Sequence, residues 1–465
     1  MTRRLAIISV LTLALAGCTV GPDYRPPETA LPDRFLEPSA AGRVSDEWWR
    51  VFADPLLDQL IDQALAGSPD LRVAAARIRE ARAERDIIET RDWPEASAEL
   101  SGRRQHGSEY VPGGTPPGGL GKGIGSNLWL AGFDAGWEID IFGGTRRALE
   151  SADAAVAAAE ADQSDARLTL IGEISRDYIE LRAAQRRLAV AGQIKLIRED
   201  VLHLVTAQFD SGLASALDRR RAEAALAESE AELPAYEIAE RDTIFQLATL
   251  AGAPPENLTG LLLPPRPQPQ AEIEVPIGLP SELLERRPDI RAAERRVAAA
   301  NALIGAREAD LYPHFSLTGA VGLESLQSQN WFTSGSRYFA VGPQLGWRVF
   351  DAGKIRSEML AEGARTDAAA ARYRKTVLAA LSEVEGALVA HGRSRIQRDA
   401  YRRQVEAASQ ELELARRLYT RGLADFLAVL DAERELRGAE MGQVSADRDC
   451  ALSLVALYKA LGGGW

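Results

Sequence analysis

The side chains best suited to chemistry are few in this sequence and do not converge. The four histidines, His106, His203, His314 and His391, are scattered among a loop, a strand-like run and helical stretches. No Gly-x-Ser-x-Gly places a nucleophile on a sharp turn, and no His-Glu-x-x-His puts two imidazoles on one helix face. The glycines of Gly118-Gly119-Leu120-Gly121-Lys122-Gly123-Ile124-Gly125 evoke a phosphate cradle, but the Lys-Ser/Thr ending is missing and the stretch lies between two β-type runs, so it reads as a loop. No catalytic, cofactor-binding or metal site is expected, and the chain is not read as an enzyme. Of the two cysteines, Cys450 sits in the apolar helical stretch Cys450-Ala451-Leu452-Ser453-Leu454 and reads as a small buried hydrophobe. Cys18 is different: it follows Met1-Thr2-Arg3-Arg4, an apolar run from Leu5 to Ala16, and Gly17. That charged, apolar and small-residue succession is a secretory signal over residues 1–17. It is too short for a membrane span, which needs about 20 apolar residues.

Leu15-Ala16-Gly17-Cys18 resembles the lipobox of bacterial lipoproteins. That resemblance implies that the Cys18 thiol is acylated and that Cys18 becomes the first residue after cleavage. Thr19 stands where an aspartate tends to retain such proteins in the inner membrane, so the outer membrane is expected. With Lys+Arg 55 against Asp+Glu 67, the formal net charge is -12, which argues against a nucleic-acid partner. Beyond residue 18 no window offers the ~18 consecutive apolar residues of a spanning helix. Two routes into an outer membrane remain: the lipid anchor alone, or strands of a closed β-barrel.

The chain divides at its prolines. Residues 18–50, with Pro22, Pro26, Pro27, Pro32 and Pro38, read as an extended tether; 254–280, with Pro264, Pro265, Pro267, Pro269 and Pro276, reads as a linker. The stretches between and after them, 51–253 and 281–465, are two copies of one unit. Ser68-Pro69-Asp70-Leu71-Arg72 matches Arg287-Pro288-Asp289-Ile290-Arg291, and Trp93-Pro94 matches Tyr312-Pro313. After a loop of unequal length a constant offset pairs Gly136-Trp137 with Gly346-Trp347, Gly212-Leu213-Ala214 with Gly422-Leu423-Ala424, and Leu247 with Leu457.

Each unit has the same predicted plan. A helical stretch (about 54–92 and 281–311) ends at the aromatic-Pro pair, because the residue before proline is driven out of the α region. Two strand-like runs follow. Trp129, Ala131, Phe133, Ala135, Trp137 and Ile139 alternate with positions that include Gly132, Asp134, Gly136 and Glu138; Phe315, Leu317, Val321 and Leu323 alternate with polar neighbours, as do Phe339, Val341, Leu345, Trp347 and Val349. Period two gives each run one apolar and one polar face. Such a face suits a soluble sheet on a core, but its height, with aromatics near the ends, also suits a transmembrane barrel strand. Four strands cannot close a useful bore, so transmembrane strands would require several chains. From Gly143 to Asp210, and again from Gly353 to Arg421, nothing interrupts a helix, which at about 1.5 Å per residue extends roughly 100 Å. Heptad seams run through Ile171, Ile174, Tyr178, Leu181 and Leu188, through Ile194, Ile197, Val201 and Leu204, and through Tyr401, Val405, Ala408, Leu412, Ala415 and Tyr419, predicting coiled-coil packing. Gly212 and Gly422 suit the left-handed C′ position that ends each long helix, after which a second helix runs back.

The lipobox, the start Thr19-Val20-Gly21-Pro22-Asp23-Tyr24-Arg25-Pro26, the doubled plan, and the stretch Tyr419-Thr420-Arg421-Gly422-Leu423-Ala424-Asp425-Phe426-Leu427-Ala428-Val429-Leu430-Asp431-Ala432-Glu433 together resemble the TolC outer-membrane efflux family, in its lipoprotein branch. The resemblance covers the whole mature chain. It implies an α+β membrane protein, a homotrimer in which each chain gives four strands to one twelve-stranded β-barrel and its long helices to a periplasmic α-helical barrel. Its function would be that of the outer-membrane channel of a tripartite efflux system, lipid-anchored in the outer membrane and extending into the periplasm.

By the same resemblance the hairpin turns Gly212-Leu213 and Gly422-Leu423 meet a periplasmic membrane-fusion adaptor, and through it an inner-membrane pump. Leu427 and Asp431 match inward-facing gate positions, a hydrophobic collar and an acidic ring; Ala428 stands where some members carry a second aspartate. Three carboxylates about 6 Å apart would repel one another by roughly 2 to 3 kcal/mol per pair at an effective dielectric near 20, so cations or protons favour a closed tip. The plainer alternative puts Asp431 and Glu433 on an ordinary solvated face. Arg219-Arg220-Arg221 is likewise either a set of tip-closing partners for acids or a solvated run. Competing functions are a duct for type I protein secretion and a periplasmic spacer lipoprotein without a channel; the cargo is not legible.

Overall fold

The computed structural model describes residues 19–37, 45–106, 125–271, 275 and 278–464. Cys18, the signal segment and most of the glycine-rich loop lie outside the described residues. In chain order the elements are α1 (Pro55–Gly67), α2 (Pro69–Glu89), β1 (Glu95–His106), β2 (Gly125–Ile139), α3 (Gly144–Asp210), α4 (Ala216–Leu250), α5 (Pro255–Leu262), α6 (Leu283–Arg286), α7 (Pro288–Ala309), β3 (His314–Ser325), β4 (Arg337–Gly346), α8 (Lys354–Thr420) and α9 (Phe426–Ala460), with short 3-10 turns between some of them. The helical stretch expected over 54–92 is broken at Ser68: Pro69 opens α2 as a first-turn proline, so one helix becomes two. Within the proposed linker, Pro255 similarly opens α5, an ordered helix where an extended chain was expected.

One compact unit comprises residues 1–28, 78–159 and 293–373. Its centre is a four-stranded antiparallel meander in the order β1-β2-β3-β4. The register aligns Ala98 with Phe133, Phe133 with Val321, and Val321 with Phe339, so the apolar positions share one face. Glu95, Glu99, Asp134, Glu138, Ser316, Thr318, Tyr338 and Gln344 share the other. Strand β4 ends at Gly346, so Trp347 and Val349 lie past the ladder that the alternation had included. The start of the tether is held on this unit. Val20 N donates to Phe142 O at 3.1 Å, and the buried Arg147 guanidinium donates to Val20 O at 3.0 Å, Gly21 O at 3.2 Å and Asp23 at 2.8 Å. Gly21, with φ of 92°, packs directly on Gly305, where an added Cβ would lie 2.2 Å from the Gly305 Cα.

The second unit comprises residues 29–77, 160–292 and 374–465. Val201, Val205, Ala222, Leu412, Phe426, Val429, Ala432 and Leu436 form one buried cluster among its helices. The seam of α3 therefore steps from Val201 to Val205, and Leu204, expected on it, is exposed; a straight helix of about 3.6 residues per turn drifts away from a strict heptad. Arg182, fully buried, donates to the carbonyls of Leu262 at 3.2 Å and Pro264 at 3.1 Å and lies 4.8 Å over the Tyr178 ring, fixing α5 and the following prolines. Trp48 is equally buried, stacks on Tyr458 at 5.2 Å and donates to Gly463 O at 3.1 Å.

Candidate functional site

The surface of the sheet decides its solvent. On the apolar face Phe133 is 65% exposed and Phe339 81% exposed, with Leu100, Val321 and Val341 exposed beside them. No described element of the unit covers them. Each such side chain left in water forfeits about 1.5–3 kcal/mol of burial, so an apolar solvent is required. The face is bounded by aromatics. Trp129 and Trp137 share it on β2, eight residues or about 26 Å apart at ~3.3 Å per residue, close to the apolar band of an outer-membrane barrel. Near one end Trp129 packs at a tilt against Trp331, ring centroids 5.4 Å apart; at the other, Trp137 donates to Asp92 O at 2.9 Å. A soluble sheet packed on a core, the alternative left open by the alternation, is overturned by this exposure.

Gly212 has φ of 75° and Gly422 of 70°, and in both turns the bonds are those of a Schellman ending: Gly212 N to Phe209 O and Leu213 N to Gln208 O, Gly422 N to Tyr419 O and Leu423 N to Leu418 O. The glycines are thus where the sequence placed the helix ends. The next helices start on caps, Ser215 paired reciprocally with Asp218, and Asp425 accepting from Ala428 N at 3.0 Å. Leu213 and Leu423 project into solvent. Between the turns a groove of about 580 Å³ is lined by residues including Leu213, Asp218, Arg221, Tyr419, Asp425 and Leu427.

Leu427 and Asp431 lie one turn apart on the exposed side of α9, while Phe426, Val429, Ala432 and Glu433 turn inward. Asp431 has one partner that sequence reading missed, Arg434 at 3.8 Å and exposed, a pairing of small energetic weight. Glu433, grouped with Asp431 on a solvated face by the plainer alternative, is 3% exposed and accepts from Arg416 at 3.1 Å. Burial raises its pKa, opposed by Arg416 and Arg198. Its two-residue step from Asp431 is about 200° around a helix, which alone places the two on opposite sides. The acidic partners of the arginine triplet lie on its own helix, Arg220 meeting Glu223 at 2.6 Å, Arg221 Asp218 at 4.0 Å and Arg219 Glu223 at 3.5 Å, while Arg219 also lies 4.8 Å over the Phe209 ring of α3. Among the described residues no group of histidine, cysteine and acidic side chains would hold a metal, and no helix is long and apolar enough to cross a membrane.

A sheet with a lipid-seeking face and an acidic reverse, joined in sequence to capped helical hairpins, defines a channel-forming outer-membrane protein. The chain belongs to the outer membrane efflux protein family, whose sequence profile matches residues 60–253 and 279–463. It is 33% identical to nodulation protein T of Rhizobium leguminosarum bv. viciae over 98% of this chain and 93% of that one. Among solved structures it is similar to the outer-membrane channel OprN (TM-score 0.87, 39% identity, covering 96% of this chain and 100% of that one) and to the open state of the Neisseria gonorrhoeae MtrE outer membrane channel (0.83, 30%, 96% and 98%). The fold is accordingly that of a trimeric outer-membrane channel to which each chain gives four strands and long periplasmic helices. The protein is an outer-membrane efflux channel, and the family's members are channel proteins.

Proposed function

We propose that this protein is the outer-membrane duct of a tripartite efflux system, carrying small molecules from an inner-membrane pump and a periplasmic adaptor without transforming them. The observation that carries the reading is the two-faced sheet, apolar and uncovered outside, acidic inside. Cys18 carries the acyl anchor. The turns Gly212-Leu213 and Gly422-Leu423 present their exposed leucines to the adaptor. Leu427 and Asp431 form the gate: three copies of an exposed leucine and an exposed carboxylate, brought to a three-fold axis, narrow the pore and hold it closed when cations or protons screen the ring. Arg221 is the repeat counterpart of Asp431, so the acidic ring rests on one hairpin of each chain. Purified full-length protein should run as a heat-labile trimer and give single-channel currents in planar bilayers. Trimers without current would favour the spacer reading instead.

A further inference from the structure

The polar face of the sheet carries an aromatic step that the efflux reading does not use. The register places Glu99, Gly132, Gly322 and Tyr338 in one row across all four strands. The Tyr338 side chain lies flat along that row: a Cβ added to Gly132 would stand 2.7 Å from its hydroxyl, and one added to Gly322 2.9 Å from its ring. The two glycines are therefore required for the ring to lie down on the polar face of the sheet. Next to it, toward Ala340, the sheet forms a shelf of about 960 Å³ lined by residues including Thr318, Ala320, Ala340, Gly342, Asp134 and Glu95. Asp134, Glu324 and Glu99 lie on the same face of the sheet as the tyrosine. None of these three carboxylates has an ion-pair partner among the described residues.

An aromatic face, small apolar side chains and uncompensated carboxylates are complementary to one ligand class. We propose that this shelf is a lumenal station for organic cations with an apolar or aromatic body, three per trimer, with Asp134 facing the positive charge and the Tyr338 ring the body. The proposal rests on the reading of the polar face as the channel lumen. Cation–π attraction at a partly hydrated site is modest, so a weak transit site rather than a tight one is expected.

The test is block of single-channel current by tetraphenylphosphonium added on the side away from the hairpin turns. Trimers carry Asp431→Ala, so that the proposed tip ring contributes nothing. The half-blocking concentration should rise about tenfold in Tyr338→Leu and in Asp134→Asn and stay within about twofold in Tyr338→Phe, which keeps the ring. Tetramethylammonium, which has charge without the body, should show no dependence on Tyr338. Absence of block in the parent, or block in Tyr338→Leu and Asp134→Asn as strong as in the parent, would overturn the station while leaving the channel intact. Absence of any current would instead sink the channel reading. If Tyr338→Leu fails to assemble, the near-isosteric Asp134→Asn decides.

Discussion

The indole Nε1 of Trp137 donates to the carbonyl of Asp92 at 2.9 Å, and its repeat counterpart Trp347 donates in the same way to Leu311 at 3.1 Å. Both carbonyls sit just before an aromatic-Pro pair, so each copy of the unit uses one tryptophan to tie the end of a helix segment to a strand end. Trp137→Phe and Trp347→Phe keep most of the ring and remove the donor. Each should cost about 0.5–1.5 kcal/mol, read as earlier heat dissociation of the trimer, and the double variant should be close to additive. A neutral outcome in both would mean that the indoles act through ring burial alone.

One side chain grips the start of the tether at three points. Arg147 spans Val20, Gly21 and Asp23, a fork that lysine cannot reproduce. Arg147→Ala should accelerate hydrogen exchange at the Val20 amide, with Arg147→Lys intermediate. Unchanged protection in Arg147→Ala would show that the Gly21–Gly305 packing suffices.

At the turns, a Cβ on Gly212 or Gly422 would meet nothing within 4 Å, so only the backbone opposes substitution. Gly212→Ala and Gly422→Ala should each cost about 1–2 kcal/mol from the left-handed conformation, visible as faster hydrogen exchange confined to that turn. Loss of assembly would contradict the account, which gives these positions no packing role within the chain.

His391, in α8, packs against Ser453 at 3.2 Å, and burial followed by Arg395 and Arg398 lowers its pKa from 6.5. The folded state thus disfavours the imidazolium, and stability present above pH 6.5 is lost as pH falls through the lowered value. Glu433 works in the opposite sense: its raised pKa keeps the proton in the folded state, so its contribution declines as pH rises above 4.5. Trimer heat stability compared at neutral and mildly acidic pH should therefore shift less with acidification in His391→Gln than in wild type. An identical pH dependence would remove His391 from the account.

What the sequence disclosed follows from which signals are local. Gly212 and Gly422 were legible because a left-handed C′ position selects glycine within its own turn. The alternation through Trp129, Phe133 and Trp137 was legible because strand period two is a property of the strand itself. Arg147 was not: an arginine near a helix start gives no hint that a distant leader lies on it. Nor was Glu433, because burial of a carboxylate depends on Arg416 arriving from another helix. The order of α5 depended on Arg182, fully buried far earlier in the chain. Pro234, inside α4, shows that a proline need not end a helix that tertiary packing holds.

The central proposal is that a three-fold ring of Asp431, screened by cations or protons, closes the pore with Leu427 beside it. It is tested most directly by single-channel recording of the full-length trimer and of Asp431→Ala with and without a divalent cation at the turn side. Because cations are what close the ring, Asp431→Ala should show weaker divalent block and a higher conductance than wild type when the divalent cation is present. Conductance and block equal to wild type would contradict it and leave Asp431 as a solvated partner of Arg434.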